Sequence, residues 1–440
     1  MFDIPAIWMF PALFLLVFLG FPVAFCMIAL SFVFGFWFFG DTLGPQMFSQ
    51  LHAVATNYVL TALPLFVFMG AALERSGIAE RLFIAIQLWI GKLRGGLALT
   101  SISMCGVFSA CSGVVGAVET VVGMMAIPPM VKQKYKHDLI SGTICAGGSL
   151  GTIIPPTVVV IVYGSIVEQS IGDLFAGVVI PGLIMTVLFL GYIIIRCYLR
   201  PEDAPAVQTD EHDKISLGQK LSVTMSAIVP ALVLVIAVLG SILAGIASPT
   251  EAAAVGALGA ILLIFAYGQM SFEVVKDVLT RAIKINAMVM FAVMGGVMFS
   301  SIFLVNGGND LIREFLATFD PSKTQLIILM LGVIFLLGFI LDWVAIVLIC
   351  MPIFTPLIRA AEIDPIWFGI MVCVVIQTSY LTPPVAPSIY YLRAIAPPEI
   401  KLVSMFKGVI PFIICQLVVL FIVAMYPPTA LWLPELIFGN

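Results

Sequence analysis

Apolar residues gather into runs near 6–38, 57–72, 97–130, 139–167, 172–198, 223–246, 249–268, 282–305, 325–358, 365–395 and 406–427. A helix needs ~20 apolar residues to cross a hydrocarbon core, and most of these runs reach that length. Lipid offers no partner to a backbone N–H or C=O, so such runs are satisfied internally as helices. The pattern therefore predicts an all-α polytopic membrane protein. The first run carries a Gly20-Phe21-Pro22 break and reads as one kinked span or two short ones. The stretch 199–222 is the one long polar linker and reads as a flexible cytoplasmic connector.

The basic residues orient the chain. With 97–130 and 325–358 taken as hairpins that enter and leave on the same side, the other segments from 57 onward alternate sides. All but three of the 20 basic residues then fall on one face, the exceptions being Arg313, Lys323 and Arg359. The positive-inside rule makes the crowded face cytoplasmic. Counting the hairpins as single spans would scatter the charges over both faces.

An internal repeat sharpens the picture. Ile154-Pro155-Pro156-Thr157-Val158 recurs 228 residues later as Thr382-Pro383-Pro384-Val385-Ala386, and the same offset carries Pro128 onto Pro356. Each proline of that second pair is read as ending a hairpin. Each half thus predicts an amphipathic lead-in, a hairpin and a helix broken at a Pro-Pro pair, with the two hairpins opening to opposite faces. The expected organisation is N-terminal scaffold helices over 1–56 and a first inverted repeat over 57–198. In that repeat the arm is 74–95, the hairpin 97–130 and the broken helix 139–167. The linker 199–222 and scaffold helices 223–281 follow. The second repeat, 282–440, has its arm at 306–324, hairpin at 325–358, broken helix at 365–395 and last span at 406–427.

Composition adds exclusions. Of 440 residues 62% are hydrophobic and 10% charged, with mean hydropathy +1.17. Soluble domains carry about 25% charged residues, so no separate water-facing domain is expected. A net charge of −4 gives no reason to expect nucleic acid. Residues 1–10 lack the basic start of a cleavable signal peptide. Eight cysteines without CxxC spacing read as small buried hydrophobes. His52, His137 and His212 are too scattered to build a metal centre. No HExxH or Gly-x-Gly-Asp motif marks an intramembrane enzyme. Paired helix breaks imply an occluded site rather than a channel's continuous polar pore.

The breaks are where chemistry is expected. A proline pair removes N–H donors and frees carbonyls at mid-depth, where a desolvated cation is a natural partner and half-helix N-termini hold an anion. The first hairpin tip, Phe108 to Gly113, supplies the hydroxyls of Ser109 and Ser112 on one helix face, beside Gly147-Gly148-Ser149-Leu150-Gly151-Thr152. Oxygen donors of this kind suit a hard cation such as Na⁺. The second half offers Gly338 and Asp342, then Thr378, Ser379 and Thr382. Asp342 lies deep in an apolar run, so it is a functional candidate that can also cap a helix. Glu119 either faces a solute path or is paired inside the bundle. Glu251, in Ser248-Pro249-Thr250-Glu251, reads as the start of a helix.

Three features carry a resemblance: Leu63-Pro64-Leu65-Phe66-Val67-Phe68-Met69-Gly70, Ser248-Pro249-Thr250-Glu251-Ala252-Ala253-Ala254-Val255-Gly256, and the two Pro-Pro breaks. Over essentially its full length the chain resembles the large membrane subunit of TRAP (tripartite ATP-independent periplasmic) transporters. The resemblance implies an inverted-repeat, elevator-type fold with two re-entrant hairpins and two broken helices. It implies a Na⁺ gradient as the energy source, with two or more coupling ions. The implied partners are a small four-helix membrane subunit and a periplasmic substrate-binding protein, in a bacterial inner membrane. One implied sodium site maps onto Ser109, Ser112, Gly151, Ile154 and Pro156. The other maps onto Gly338, Ser379, Thr382 and Pro384, with Asp342 close by. Substrate would sit between them, against Ser112, Thr157, Asp342 and Ser388. Cys111 departs from a tip that is richer in Ser and Ala in the family. The Ala71–Phe83 stretch resembles the branch associated with 2-oxo acids and other organic acids more than the sialic-acid branch, and the expected cargo is a small organic anion of the C4-dicarboxylate, 2-oxo acid or related organic acid class. The alternative is a stand-alone H⁺- or Na⁺-coupled anion carrier or antiporter of the same architecture.

Overall fold

The computed structural model describes residues 6–113, 115–205, 216–383 and 386–439. Within them every regular element is helical. The first run divides into α1 (Met9–Phe18) and α2 (Val23–Phe39), parted at Gly20 (φ +92°), and α3 (Leu43–Ala55) follows. Next come α4 (Ala62–Arg75) and α5 (Ile78–Ile90). The first hairpin and broken helix are α6 (Gly96–Ser112), α7 (Val115–Lys132), α8 (His137–Ser149) and α9 (Val158–Val167). Four pieces lead into the second half: α10 (Ile171–Leu199), α11 (Leu217–Val235), the short α12 (Ser241–Leu243) and α13 (Pro249–Ala266). The second half holds α14 (Phe272–Phe303), α15 (Asn309–Phe319), α16 (Lys323–Leu337), α17 (Trp343–Ala360), α18 (Pro365–Leu381) and α19 (Pro387–Ile395). The chain closes with α20 (Leu402–Met425) and α21 (Pro428–Phe438).

Local sequence explains many of the boundaries. Ser216, Ser248 and Ser322 each open a helix with a capping box closed by Gln219, Glu251 and Gln325, which satisfies donors that a helix start leaves bare. Glu251 thus serves the helix start expected of it. Among the described residues seven helices are long and apolar enough to cross a membrane, or eight if the α4–α5 pair, bent by 63°, forms one span. All eight cysteines are free thiols, and seven of them are buried.

The offset of 228 holds element by element. It carries Val115, the first residue of α7, onto Trp343, the first of α17, and His137 of α8 onto Pro365 of α18. The same register places α10 on α20, and also α2 on α13, so it extends over two segments read from sequence as plain scaffold. In the first half α6 and α7 are antiparallel and meet at Gly113; in the second, α16 and α17 meet across 338–342. The helix α8 stops at a 3-10 turn, Leu150–Thr152, ahead of Pro155-Pro156, and α18 stops at Leu381 ahead of Pro383.

Several boundaries differ from expectation. The first arm begins at Ile78 rather than 74, because Gly77 adopts φ +76° and the Ser76 hydroxyl accepts the Ile78 N–H at 3.2 Å. The second arm begins after a kink at Asn306–Gly307, where Gly307 has φ +103°. Pro128 and Pro356 do not end their hairpins: α7 runs on to Lys132 and α17 to Ala360. Packed neighbours let a membrane helix tolerate an interior proline. The linker is anchored where it leaves α10. Asp203 is buried, with Lys136 Nζ at 2.6 Å and Arg196 Nε at 2.9 Å, and α11 starts at Leu217. Positions 206–215 of that linker, His212 among them, lie outside the described residues.

The core that positions the breaks is knitted by close backbone contact. Helices α8 and α20 touch at Gly142 and Gly408, where a Cβ on Gly142 would meet the Gly408 carbonyl oxygen. Only glycine permits that approach.

Candidate functional site

A cavity of about 470 Å³ opens between α4, α14, the first hairpin and both breaks. Its walls bring together Gly113 from the first tip, Gly151 from the first break, Asp342 and Trp343 from the second hairpin, and Tyr380 and Tyr391 flanking the second break. The two tyrosine rings stack at 6.5 Å between centroids, 20° from parallel, across that break. At one end stand Glu74, Arg281 and Lys284. Arg281 donates to Glu74 at 2.7 Å and to Asp277 at 2.9 Å. The Lys284 side chain is exposed and has no ion-pair partner among the described residues.

The first tip is built on a left-handed glycine. Gly113 has φ +63°, its N–H donates to Ser109 O at 3.0 Å, and a Cβ there would strike the Pro156 carbonyl oxygen. The tip therefore lies directly on the break. On its other side the Ser112 carbonyl oxygen sits 2.5 Å from where a Cβ on Gly70 of α4 would be. Ser109 and Ser112 are buried, and neither hydroxyl has a hydrogen-bond partner among the described residues. Leaving a buried hydroxyl unpaired costs ~1–3 kcal/mol. Both hydroxyls belong to the tip whose Gly113 lies on the break.

Other sequence-selected residues take several places. Thr157 is buried and caps α9: its hydroxyl donates to Thr152 O at 3.1 Å and accepts the Val159 N–H at 3.2 Å. Ile154 donates its N–H to Leu150 O at 2.9 Å, in the turn before the proline pair. In the second half Gly338 faces Ser379, with no room for a Cβ between them. Ser379 Oγ donates to Ile376 O at 2.8 Å and Thr382 Oγ1 to Thr378 O at 2.7 Å, so both hydroxyls keep acceptor capacity for a cation. Pro384 lies outside the described residues. Asp342 caps α17 by accepting the Val344 N–H at 3.4 Å while its side chain is exposed to the cavity.

Glu119 and Ser388 are apart from the cavity wall and joined to each other. The Ser388 hydroxyl lies 2.8 Å and 2.9 Å from the two Glu119 carboxyl oxygens, both residues fully buried. This pair ties the returning arm of the first hairpin to the helix after the second break.

Sequence reading took Arg281 and Lys284 only as loop charges. The signal that marks them was present: three residues apart on α14, they share a helix face. Tyr380 and Tyr391 carried no such signal, since their stacking depends on the turn between them.

Comparison with known proteins agrees with this architecture. The model of the family described as "Tripartite ATP-independent periplasmic transporter, DctM component" matches residues 10–429. The C4-dicarboxylate TRAP transporter large permease protein DctM of Pseudomonas aeruginosa is 31% identical, over 88% of each chain. The sialic acid TRAP transporter large permease protein SiaM of Vibrio cholerae is 29% identical, over 96% of this chain and 97% of that one. The ectoine TRAP transporter large permease protein TeaC of Halomonas elongata is 30% identical over the same shares. Among solved structures, the Alcanivorax borkumensis YdaH transporter, whose topology is described as unusual, superposes with a TM-score of 0.63. It covers 98% of this chain and 99% of its own at 14% identity, a likeness of fold. With its broken-helix repeat and a family match over nearly all of its length, this multi-pass membrane chain belongs to the DctM component family of tripartite ATP-independent periplasmic transporters.

Proposed function

We propose that the chain is the large transmembrane subunit of a Na⁺-coupled, binding-protein-dependent secondary transporter that imports a small organic anion across a bacterial inner membrane. The observation that carries sodium coupling is the pair of buried hydroxyls at Ser109 and Ser112, unpartnered among the described residues, in the tip whose Gly113 lies on the Pro156 carbonyl. Na⁺ bound there would draw on these oxygens and on carbonyls of the Gly151–Pro156 turn. The second site would draw on Ser379 and Thr382 beside Gly338. The ion supplies positive charge between the breaks, and the chain's own residues order its ligands.

Charge at the cavity supports an anionic solute. Lys284 has no ion-pair partner among the described residues, and Arg281 keeps donors beyond its carboxylate partners, since a guanidinium has five N–H groups. The relatives are named for C4-dicarboxylates, sialic acid and ectoine, and of these a C4-dicarboxylate or similar organic acid suits the cations best. The elbows at Gly77 and Gly307, which set off α5 and α15 from their neighbours, support an elevator movement of the unit between the arms. A small four-helix membrane subunit and a periplasmic binding protein would complete the system. The test is uptake in vesicles holding the whole system, with Na⁺ replaced by K⁺. Loss of uptake is expected, and uptake that persists unchanged overturns sodium coupling.

A further inference from the structure

On the basic face, away from the transport cavity, a second cavity of about 390 Å³ lies where α10 ends and α20 begins. Arg196, Arg200 and Lys407 line it against one carboxylate, Asp138. Arg196 is held rigidly. Its Nη2 donates to Asp138 at 2.8 Å, its Nε to Asp203 at 2.9 Å and its Nη1 to the Tyr192 hydroxyl at 3.0 Å. Its side chain is only 12% exposed, so three of five donors are spent and the group is fixed in place. Arg200 and Lys407 are exposed, and their side chains have no acceptor among the described residues. Asp138 and Asp203 offset Arg196, which leaves Arg200 and Lys407 as two exposed cations on one cavity that repel one another unless an anion sits between them.

The walls say what kind of anion. Ile195 and Leu199 line the same cavity and are 60% and 71% exposed, and Pro411 adds an apolar surface from α20. Basic side chains at the mouth of an interhelical slot with bare aliphatic flanks match a phosphate headgroup whose acyl chains run along the helices. We propose that this slot binds a phosphate group, that of an anionic phospholipid, through Arg200 and Lys407 with Arg196 as the fixed base of the site. Because α10 and α20 are equivalent under the repeat, the lipid bridges the two halves on the basic face.

The test uses the full chain in nanodiscs of phosphatidylcholine with a minor fraction of phosphatidylglycerol, read by native mass spectrometry of retained lipid. Its comparison is the double variant R200Q/K407Q, with K132Q/K134Q as a charge-matched control on the same face. The wild type and control are expected to retain phosphatidylglycerol in preference, and R200Q/K407Q to lose that preference by roughly twentyfold. A second arm adds inorganic phosphate to lipid-depleted protein and reads thermal protection. Protection lost in R200Q/K407Q, without selective lipid retention, assigns the site to free phosphate instead. If R200Q/K407Q matches the control in both arms, the site does not exist.

Discussion

Gln377 Nε2 donates a hydrogen bond to Ser149 Oγ at 3.2 Å, and these residues stand at equivalent positions of the two halves, 228 apart. Equivalent residues touch only where the axis relating the halves passes between them. Gln416 Nε2 reaches the same hydroxyl at 3.2 Å, and Ser149 passes its own proton to Ala146 O at 2.8 Å. Ser149→Ala leaves two buried amides without their acceptor. The expected loss is about 2 kcal/mol, visible as a lower unfolding midpoint of the purified protein. An unchanged midpoint would mean that this contact does not hold the halves together.

The tip hydroxyls give the sharpest test of the sodium site. Ser109→Ala and Ser112→Ala each remove an oxygen that has no partner among the described residues, so stability is expected to hold or rise. Half-saturating Na⁺ for uptake should climb about tenfold, the equivalent of ~1.4 kcal/mol. Thr382→Val should act likewise at the second break. Sodium titrations that superpose on the wild type would remove these side chains from the ion sites.

Gly113→Ala separates geometry from chemistry. A methyl group there meets the Pro156 carbonyl oxygen, and the φ of +63° adds a strain of roughly 1 kcal/mol. The tip must lift from the break, and transport should fall by on the order of tenfold or more, with the protein still folded. Uptake at the wild-type rate would show that tip and break need not touch.

Arg281 and Lys284 should part company on mutation. Lys284→Gln is expected to raise the KM for an anionic solute several-fold with the unfolding midpoint unchanged, because no described residue pairs with that ammonium. Arg281→Gln also strips Glu74, whose side chain is 13% exposed, of its partner, so its midpoint should drop as well. A Lys284→Gln transporter with unaltered KM would place the solute away from this end of the cavity.

Acid should loosen the anchor after α10. Burial raises the Asp203 carboxyl, but hydrogen bonds from Lys136 and Arg196 outweigh it and hold the group below the usual carboxylate range. A carboxyl lowered on folding stabilises the fold above its unfolded value of ~3.9 and loses that contribution as pH falls through the folded value. The gap in unfolding midpoint between wild type and Asp203→Asn should be full at neutral pH and close below pH ~4. A gap independent of pH would rule out ionised Asp203 as its source.

Local rules made most of this architecture readable in advance. Prolines and glycines act on their own neighbourhood, so the breaks near Pro155 and Pro383 and the turn at Gly113 could be placed from sequence. The arm starts were missed because a Ser76–Gly77 cap and a Gly307 kink are decided by one residue's backbone. The site was half legible. The tip glycine and the proline pair are local and readable, whereas Ser388 meets Glu119 across 269 residues and Arg281 reaches Glu74 across 207. No periodicity encodes those meetings; the packing of whole helices does.

Gly142 and Gly408 line neither cavity and present no chemistry, yet their two helices meet there with nothing in between. A saturation scan should find that each accepts glycine alone, a tolerance profile that in a transporter invites assignment to cargo contact. Here intolerance would mark a weld: α8 and α20 travel as one piece or not at all.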